Sequence, residues 1–205
     1  MATPLRDLNK PYDHSFQRFA ETDPRGMLYL FEGLPLNAAY RIRRLAREIT
    51  GPPLQIDYAY QVTRGGQTRI HHFEAFAYAR HFNPEKVTWY ATFLAGKYRE
   101  PVDTTVVLFH PKGGAARIPK QYRIPLDSPR IVYKFRVVKL WGMDPHAVMR
   151  MDRASLLPWV PLMRADENTV VEAARRVVAT RNRELRSRFC VLSTLRYNRE
   201  QFAEV

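Results

Sequence analysis

The sequence predicts a mixed α/β fold, in which a mixed central sheet is flanked by helices in one domain of residues 1–205. Three observations predict it. The 205 residues are 45% hydrophobic, which is enough for one sizeable core. Two runs with period-two alternation flank Arg64-Gly65-Gly66-Gln67, a pattern typical of a β-hairpin. Apolar residues at helical spacing precede and follow this hairpin, so helices are expected on either side of it in the chain.

The N-terminal segment is expected to form two helices. Apolar residues recur at helical spacing in 12–22. Asp23 followed by Pro24 suits an N-cap and a first helical position, so a second helix begins there and ends near Gly33. In residues 40–48 arginines interleave with apolar residues in a pattern that a strand or a helix could adopt, and we favour a strand.

The hairpin and the segments after it predict two strands, a helix and a buried strand. Residues 54–62 alternate with period two, and residues 68–76 complete the hairpin. Asn83-Pro84-Glu85 has the composition of a helix start, and that helix is expected to run to about Tyr98. Residues 105–109 form an apolar run, which favours a strand covered on both faces.

The second half of the chain predicts a further hairpin and then helices. Two β-rich runs, 121–126 and 130–140, are joined by Asp127-Ser128-Pro129, which is a typical turn composition. The last third is expected to be helical, and an arginine-rich helical tail covers about 166–205. Most tail arginines are interpreted as a solvated helix face.

Composition narrows the partners and the compartment. Lys and Arg number 33 against 20 Asp and Glu, a formal net charge of +13, so nucleic acid is the first expected partner class. The single Cys190 excludes an intramolecular disulfide. No apolar run approaches the ~20 residues that span a bilayer, and the N-terminus lacks the apolar core of a secretory signal. A cytoplasmic protein with no membrane partner is therefore expected.

Seven short motifs, spread over nearly the whole chain, resemble those of one family. They are Pro11-Tyr12-Asp13-His14-Ser15-Phe16, Asp23-Pro24-Arg25-Gly26, Leu54-Gln55-Ile56-Asp57, His71-His72-Phe73-Glu74-Ala75-Phe76, residues 97–109, residues 130–141 and Leu195-Arg196-Tyr197. They resemble the recombination-promoting, transposase-like Rpn (YhgA-like) family, which has the PD-(D/E)XK nuclease core. The resemblance implies a metal-dependent DNA endonuclease with a nuclease-like mixed central sheet, and it implies that Asp57 is the first metal-binding acid.

Asp57 and Glu74 are candidate catalytic and metal-binding residues on chemical grounds as well. Cleavage of a phosphodiester by a bound metal needs carboxylates close enough to hold Mg²⁺ (or Mn²⁺), an oxygen-seeking cation. If the hairpin pairs across its turn, both acids and His72 emerge on one face of the sheet. The alternative interpretation is that each carboxylate simply solvates a sheet face. Asp13 either orders this site or favours the N-terminus of its own helix.

Phe76 departs from the family pattern, because the matching position holds Gln, or Lys in the wider superfamily, and orients the attacking water. A phenyl ring cannot do this. Gln61, four residues after Asp57, and His72, two residues before Glu74, are the candidates for the missing donor. The alternative is that Phe76 is core packing in a catalytically inactive nuclease-fold domain that binds DNA or another protein.

Arginine and lysine side chains near the site are the candidates for DNA contact, because a guanidinium can grip a phosphate through two hydrogen bonds. These residues are Arg41, Arg43, Arg44, Arg80, Lys97 and Arg99. A homodimer is compatible with this assignment. A basic adaptor that binds a protein rather than DNA is a third interpretation of the charge.

Overall fold

The computed structural model describes residues 10–45, 48–49, 54–111, 118–125 and 131–197 as a mixed α/β fold. Its helices are α1 Lys10–Thr22, α2 Pro24–Glu32, α3 Pro84–Tyr98, α4 Pro145–Met149, α5 Glu167–Ala179 and α6 Arg183–Ser193. Its strands are β1 Arg41–Arg44, β2 Glu48–Ile49, β3 Leu54–Gln55, β4 Tyr58–Arg64, β5 Gln67–Tyr78, β6 Val102–His110, β7 Gln121–Arg123, β8 Val132–Lys134 and β9 Arg136–Lys139. Short 3₁₀ helices cover Ala79–His81, Leu140–Gly142 and Ala154–Leu162.

The main sheet has five strands in the order β1-β4-β5-β6-β9. The first three strands are antiparallel neighbours, whereas β6 runs parallel to β5 and to β9. Helix α3 makes the crossover from β5 to β6, as a parallel connection requires. The pairs β2-β3 and β7-β8 form two smaller antiparallel sheets.

Helices cover both faces of the main sheet. The larger core lies on the face that carries Tyr58, Tyr60 and Phe73, where helices α1, α2, α5 and α6 pack around the fully buried Trp159. Helix α3 covers the opposite face. Strand β6 is an interior strand of the sheet, and its buried run confirms the expectation of a strand covered on both sides.

The predicted helix boundaries are confirmed at α2 and α3. The Asp23 side chain accepts a hydrogen bond from the Gly26 N–H at the start of α2, and Gly33 ends that helix with φ of 72°. The Asn83 side chain accepts from the Lys86 N–H at the start of α3. Asparagine and aspartate side chains satisfy N–H groups that a helix leaves unpaired in its first turn.

Two strand predictions were wrong in their extent. The run 54–62 is not one strand, because it bends at Asp57 between β3 and β4. The run 130–140 divides at Phe135, whose N–H donates to the Lys120 carbonyl, so β8 pairs with β7 whereas β9 joins the main sheet. A hairpin is thus present, but Asp127-Ser128-Pro129 lies outside the described residues.

A buried ion pair fixes α2 to the C-terminal half of the chain. Asp23 is 5% exposed and accepts hydrogen bonds from Arg153 Nε at 2.7 Å, from the other arm of that guanidinium and from the Ser155 hydroxyl. Burial by itself would raise the pKa of Asp23. The hydrogen bonds from Arg153, Ser155 and the Gly26 N–H together outweigh burial and lower the pKa below its ordinary value, so the carboxylate stays charged. Breaking a buried pair leaves an uncompensated charge.

Replacing Gly26 with alanine should break this arrangement. A Cβ at Gly26 would overlap the carboxyl group of Asp23. Because the carboxylate cannot move without losing Arg153, we expect the G26A variant to lose about 2–4 kcal/mol of unfolding free energy in urea denaturation. Gly96, also helical, has nothing within 4 Å of such a Cβ, so the control variant G96A should gain about 0.5–1 kcal/mol. Equal effects of the two variants would contradict this account.

Candidate active site

The Asp57 and Glu74 side chains each accept a hydrogen bond from a backbone N–H of the other residue's segment. The Asp57 N–H donates to Glu74 Oε1 at 3.2 Å, and the Ala75 N–H donates to Asp57 Oδ2 at 2.9 Å. The bend at Asp57 follows from this exchange, because the two side chains replace ladder hydrogen bonds at that point. The structure therefore brings the two predicted acids together on one face of the sheet.

His72 supports Glu74 from inside the protein. One ring nitrogen, Nε2, lies 3.1 Å from Glu74 Oε1, and the other, Nδ1, lies 3.2 Å from the Thr104 hydroxyl. That hydroxyl lies 2.7 Å from the Tyr133 hydroxyl. His72 has no exposed surface, so it acts on the site through Glu74 rather than by direct contact with a bound molecule.

Asp57 and Glu74 line a cleft of about 170 Å³, called here the acid cleft. Its lining residues are Asp13, Asp57, Glu74, Ala75, Phe76, Ala77, His81 and Lys86. Asp13 comes from α1 and Lys86 from the first turn of α3, so both helices that flank the hairpin contribute a charged side chain. The arrangement places one ammonium group beside three carboxyl groups.

Burial dominates the electrostatics of the acid cleft. It raises the pKa of Glu74 to about 8, against the lowering effects of the Asp57 N–H and the Lys86 charge. Burial and then the Asp57 charge raise the pKa of Asp13 to about 6. Burial also lowers the pKa of His72 to about 4, so its imidazole is neutral at pH 7 and its contact with Glu74 is a hydrogen bond.

Lys86 stays charged in this setting. Desolvation lowers the pKa of Lys86, but a hydrogen bond with Tyr90 and the charges of Tyr90, Glu74 and Asp57 raise it more. Its Nζ lies 5.2 Å from the centre of the Tyr90 ring. A cation fixed in this way can stabilise negative charge that develops on a neighbouring group.

The oxygen-only donor set fits a hard divalent cation. Among the residues that the structure describes, no group of three or more His, Cys, Asp or Glu could hold a metal ion. Such an ion at the acid cleft would therefore have at most two ligands of these types among the described residues, and the adjacent acids Asp57 and Glu74 fit that number. Mg²⁺ commonly binds through one or two carboxylates, and takes its remaining ligands from water and substrate phosphates. A divalent cation beside Lys86 would also favour the ionised forms of Glu74 and Asp13, whose pKa values burial raises.

The two candidate donors for the missing Gln or Lys lie apart from the opening of the acid cleft. Gln61 pairs with Ile70 in the hairpin, four residues from Glu74 or about 13 Å along the strand, and it does not line the cleft. His72 lies behind Glu74. Phe76 lines the cleft and packs edge-on against Phe82 with ring centres 5.6 Å apart.

Lys86 is the site residue that sequence reasoning missed. Asn83-Pro84-Glu85 indicated only the start of a helix, and Lys86 follows directly. A signal was nevertheless present, because the residue three positions after an N-cap lies on the first turn, which here abuts the sheet that carries the acids. The helix start and its capping residue therefore fix where this ammonium group lies.

The candidate DNA-contacting residues differ in their exposure, in their ion pairs and in their distance from the acid cleft. Arg41 and Arg43 are exposed on the edge strand β1, and Arg80 lies next to His81, a residue of the acid cleft. Arg44 is also on β1, but it pairs with Glu21 at 3.5 Å and lies over the Tyr58 ring. Lys97 and Arg99 lie at the far end of α3, about 16 Å along the helix from Lys86.

Comparison of the chain with protein-family models, with curated proteins and with solved structures gave no match in any of the three. The resemblance to the Rpn family therefore remains a prediction from the short motifs. None of the helices in the described part of the chain is long and apolar enough to cross a membrane.

The raised pKa of Glu74 predicts a pH dependence of stability. Between its ordinary value of 4.5 and about 8, the folded state binds the proton that the unfolded state releases. Glu74 therefore lowers the free energy of unfolding as pH rises through this window, by up to about 1.4 kcal/mol per pH unit. In denaturation with a chelator present, the E74Q variant should lose less stability than the wild type between pH 5 and pH 8. Identical slopes would show that Glu74 is not buried in this way.

Proposed function

We propose that this protein is a Mg²⁺- or Mn²⁺-dependent DNA endonuclease of the PD-(D/E)XK type, with Asp57 and Glu74 as its metal-binding residues. The observation that carries the proposal is the exchange of backbone hydrogen bonds between these two acids, which fixes their carboxyl groups side by side at the acid cleft. The order of elements around them supports it, since helix, hairpin, helix and buried strand follow each other as in that nuclease core.

Each residue of the acid cleft has a role in this proposal. A divalent cation held by Asp57 and Glu74 would neutralise charge on the scissile phosphate and favour ionisation of an attacking water. The Ala75 N–H orients Asp57, and the neutral His72 imidazole orients Glu74. Phe76, packed edge-on against Phe82, forms an apolar wall on one side of the cleft.

Lys86 takes the place of the donor that Phe76 lacks. In this proposal its ammonium group approaches the cleft from α3 instead of from the strand that carries Glu74. Because its pKa is raised, Lys86 is a cation at neutral pH and cannot accept a proton from water. Its role is therefore to stabilise the negative charge that builds up on the phosphate oxygens.

Exposed basic residues, of which Arg80 is adjacent to the acid cleft, support DNA as the substrate. Arg80 is adjacent to the cleft, and Arg41 and Arg43 are exposed on the sheet edge. With a net charge of +13, binding should weaken steeply as salt rises, because phosphate contacts release counterions. Arg44 contributes less, since Glu21 already neutralises it.

One observation favours the second candidate, a DNA-binding domain without cleavage. A pKa of about 8 leaves Glu74 largely protonated at pH 7 unless a cation displaces the proton. A site with such a carboxyl and only one further carboxylate ligand binds metal weakly. The two candidates are separated by whether DNA is cut once metal is present.

Plasmid nicking tests the proposed chemistry. Purified protein with Mg²⁺ or Mn²⁺ should convert supercoiled DNA to nicked circles, and D57N or E74Q should slow this by about 10²-fold or more. Salt-dependent DNA binding without nicking, under either metal, would support the inactive candidate. Nicking that survives both substitutions would remove these residues from the mechanism.

Lys86 has a test of its own. The variant K86A should lose about 10²–10³-fold in nicking rate while its DNA affinity changes little, since a transition-state donor is removed. The control is K134A, which removes an exposed lysine of β8 that does not line the acid cleft. A loss in K134A as large as that in K86A would contradict the assignment.

A further inference from the structure

A second polar cleft, of about 380 Å³, lies between α1 and α6 and is separate from the acid cleft. It is called here the α1–α6 cleft. Its lining residues are Pro11, His14, Ser15, Arg18, Glu184, Ser187, Arg188 and Val191. None of them lines the acid cleft. Helix α1 contributes to both sites, since Asp13 lines the acid cleft and His14 lines the α1–α6 cleft.

Arg188 is a buried cation with unused donors. It is 6% exposed, and its Nη2 donates to Glu184 Oε1 at 2.6 Å and to the Thr22 hydroxyl at 3.2 Å. Within the described part of the chain, its Nε and Nη1 have no hydrogen-bond partner. A guanidinium remains charged at any relevant pH, and leaving its donors unsatisfied in the interior is unfavourable. The described residues therefore leave two donors of Arg188 available to an added acceptor.

The network of ion pairs that reaches the cleft contains more positive than negative groups. Three guanidinium groups, those of Arg18, Arg44 and Arg188, share the two carboxylates of Glu21 and Glu184. Arg18 bridges both acids, at 3.3 Å from Glu21 and 3.1 Å from Glu184. Three positive charges against two negative charges leave one in excess among these paired residues.

We propose that the α1–α6 cleft binds a phosphate group. Arg188 and Arg18 supply guanidinium donors, and the exposed His14 and Ser187 add an imidazole and a hydroxyl at the rim. These groups offer more donors than the two oxygens of a carboxylate accept, whereas a phosphate has enough oxygens to accept them. Nothing in this assignment depends on cleavage or on a metal.

Glu184 occupies part of the site that the phosphate takes. Its Oε1 is the acceptor for both Arg18 and Arg188, and its side chain is 40% exposed, so it can turn to solvent when a stronger anion arrives. In this arrangement Glu184 competes with phosphate for the same two guanidinium groups. Removing its charge should therefore tighten phosphate binding, and removing a guanidinium should weaken it.

Calorimetric titration of the full chain with inorganic phosphate, without metal, tests the proposal. The wild type should bind saturably, R18Q should bind about tenfold more weakly, and E184Q should bind several-fold more tightly. Opposite changes in the two variants cannot arise from a shared loss of structure. R188Q should abolish binding, and its thermal melting shows whether it folds.

The control variant is R175Q, which removes an exposed arginine of α5 that does not line the cleft. Its affinity for phosphate should equal that of the wild type. Absence of saturable binding by the wild type, equal weakening in R175Q and R18Q, or weaker binding by E184Q would each overturn the proposal.

A second arm identifies the source of the phosphate. The same oligonucleotide is titrated with and without a 5′-phosphate, in competition with inorganic phosphate. If the terminal phosphate adds affinity that R18Q removes, the cleft binds a nucleic-acid end. If only the inorganic ion binds and R18Q weakens it, the ligand is a small free phosphate. Both results support a phosphate site, and no effect of R18Q on either ligand contradicts it.

Discussion

The hydrogen bonds between the Asp57 and Glu74 segments are the constraint on which the candidate active site depends. Each acid accepts an N–H from the strand that carries the other, so neither carboxyl can move without breaking the hairpin at that point. The chain bends at Asp57 and resumes as a strand at Tyr58. Regular hydrogen bonding between the strands is lost at Asp57, and hydrogen bonds that hold the two acids in place form instead. A metal site needs side chains that are held in place in this way before the ion binds.

Neighbouring residues reinforce this constraint on the face of the sheet that α3 covers. Behind Glu74, hydrogen bonds link His72 to Thr104 and Thr104 to Tyr133, so these buried polar groups have partners. Helix α3 places the Lys86 ammonium group at the same cleft. In the proposed function, this group takes the role of the hydrogen-bond donor that Phe76 lacks. The raised pKa of Glu74 shows that the fold holds this carboxyl at an energetic disadvantage, as functional sites commonly do.

Local signals in the sequence predicted much of the fold. The Asp23-Pro24 and Asn83-Pro84 helix starts, the hairpin turn and the buried strand β6 all follow from short-range chemistry, and the alternation of the hairpin placed Asp57, His72 and Glu74 on one face. The division of 130–140 between two sheets could not be predicted, because periodicity does not identify a strand's partner. The distance of Gln61 from Glu74 follows from the hairpin register, whereas the approach of Lys86 depends on tertiary packing, which single-sequence patterns do not encode.

Anomalous diffraction from crystals of the protein soaked in Mn²⁺ tests the central claim most directly. The account predicts one dominant anomalous peak between the carboxyl groups of Asp57 and Glu74, with manganese–oxygen distances of about 2.1–2.3 Å and the ammonium of Lys86 facing the same cleft. Well-ordered crystals in which these carboxyls hold no manganese, or in which the ion binds only elsewhere, would contradict it.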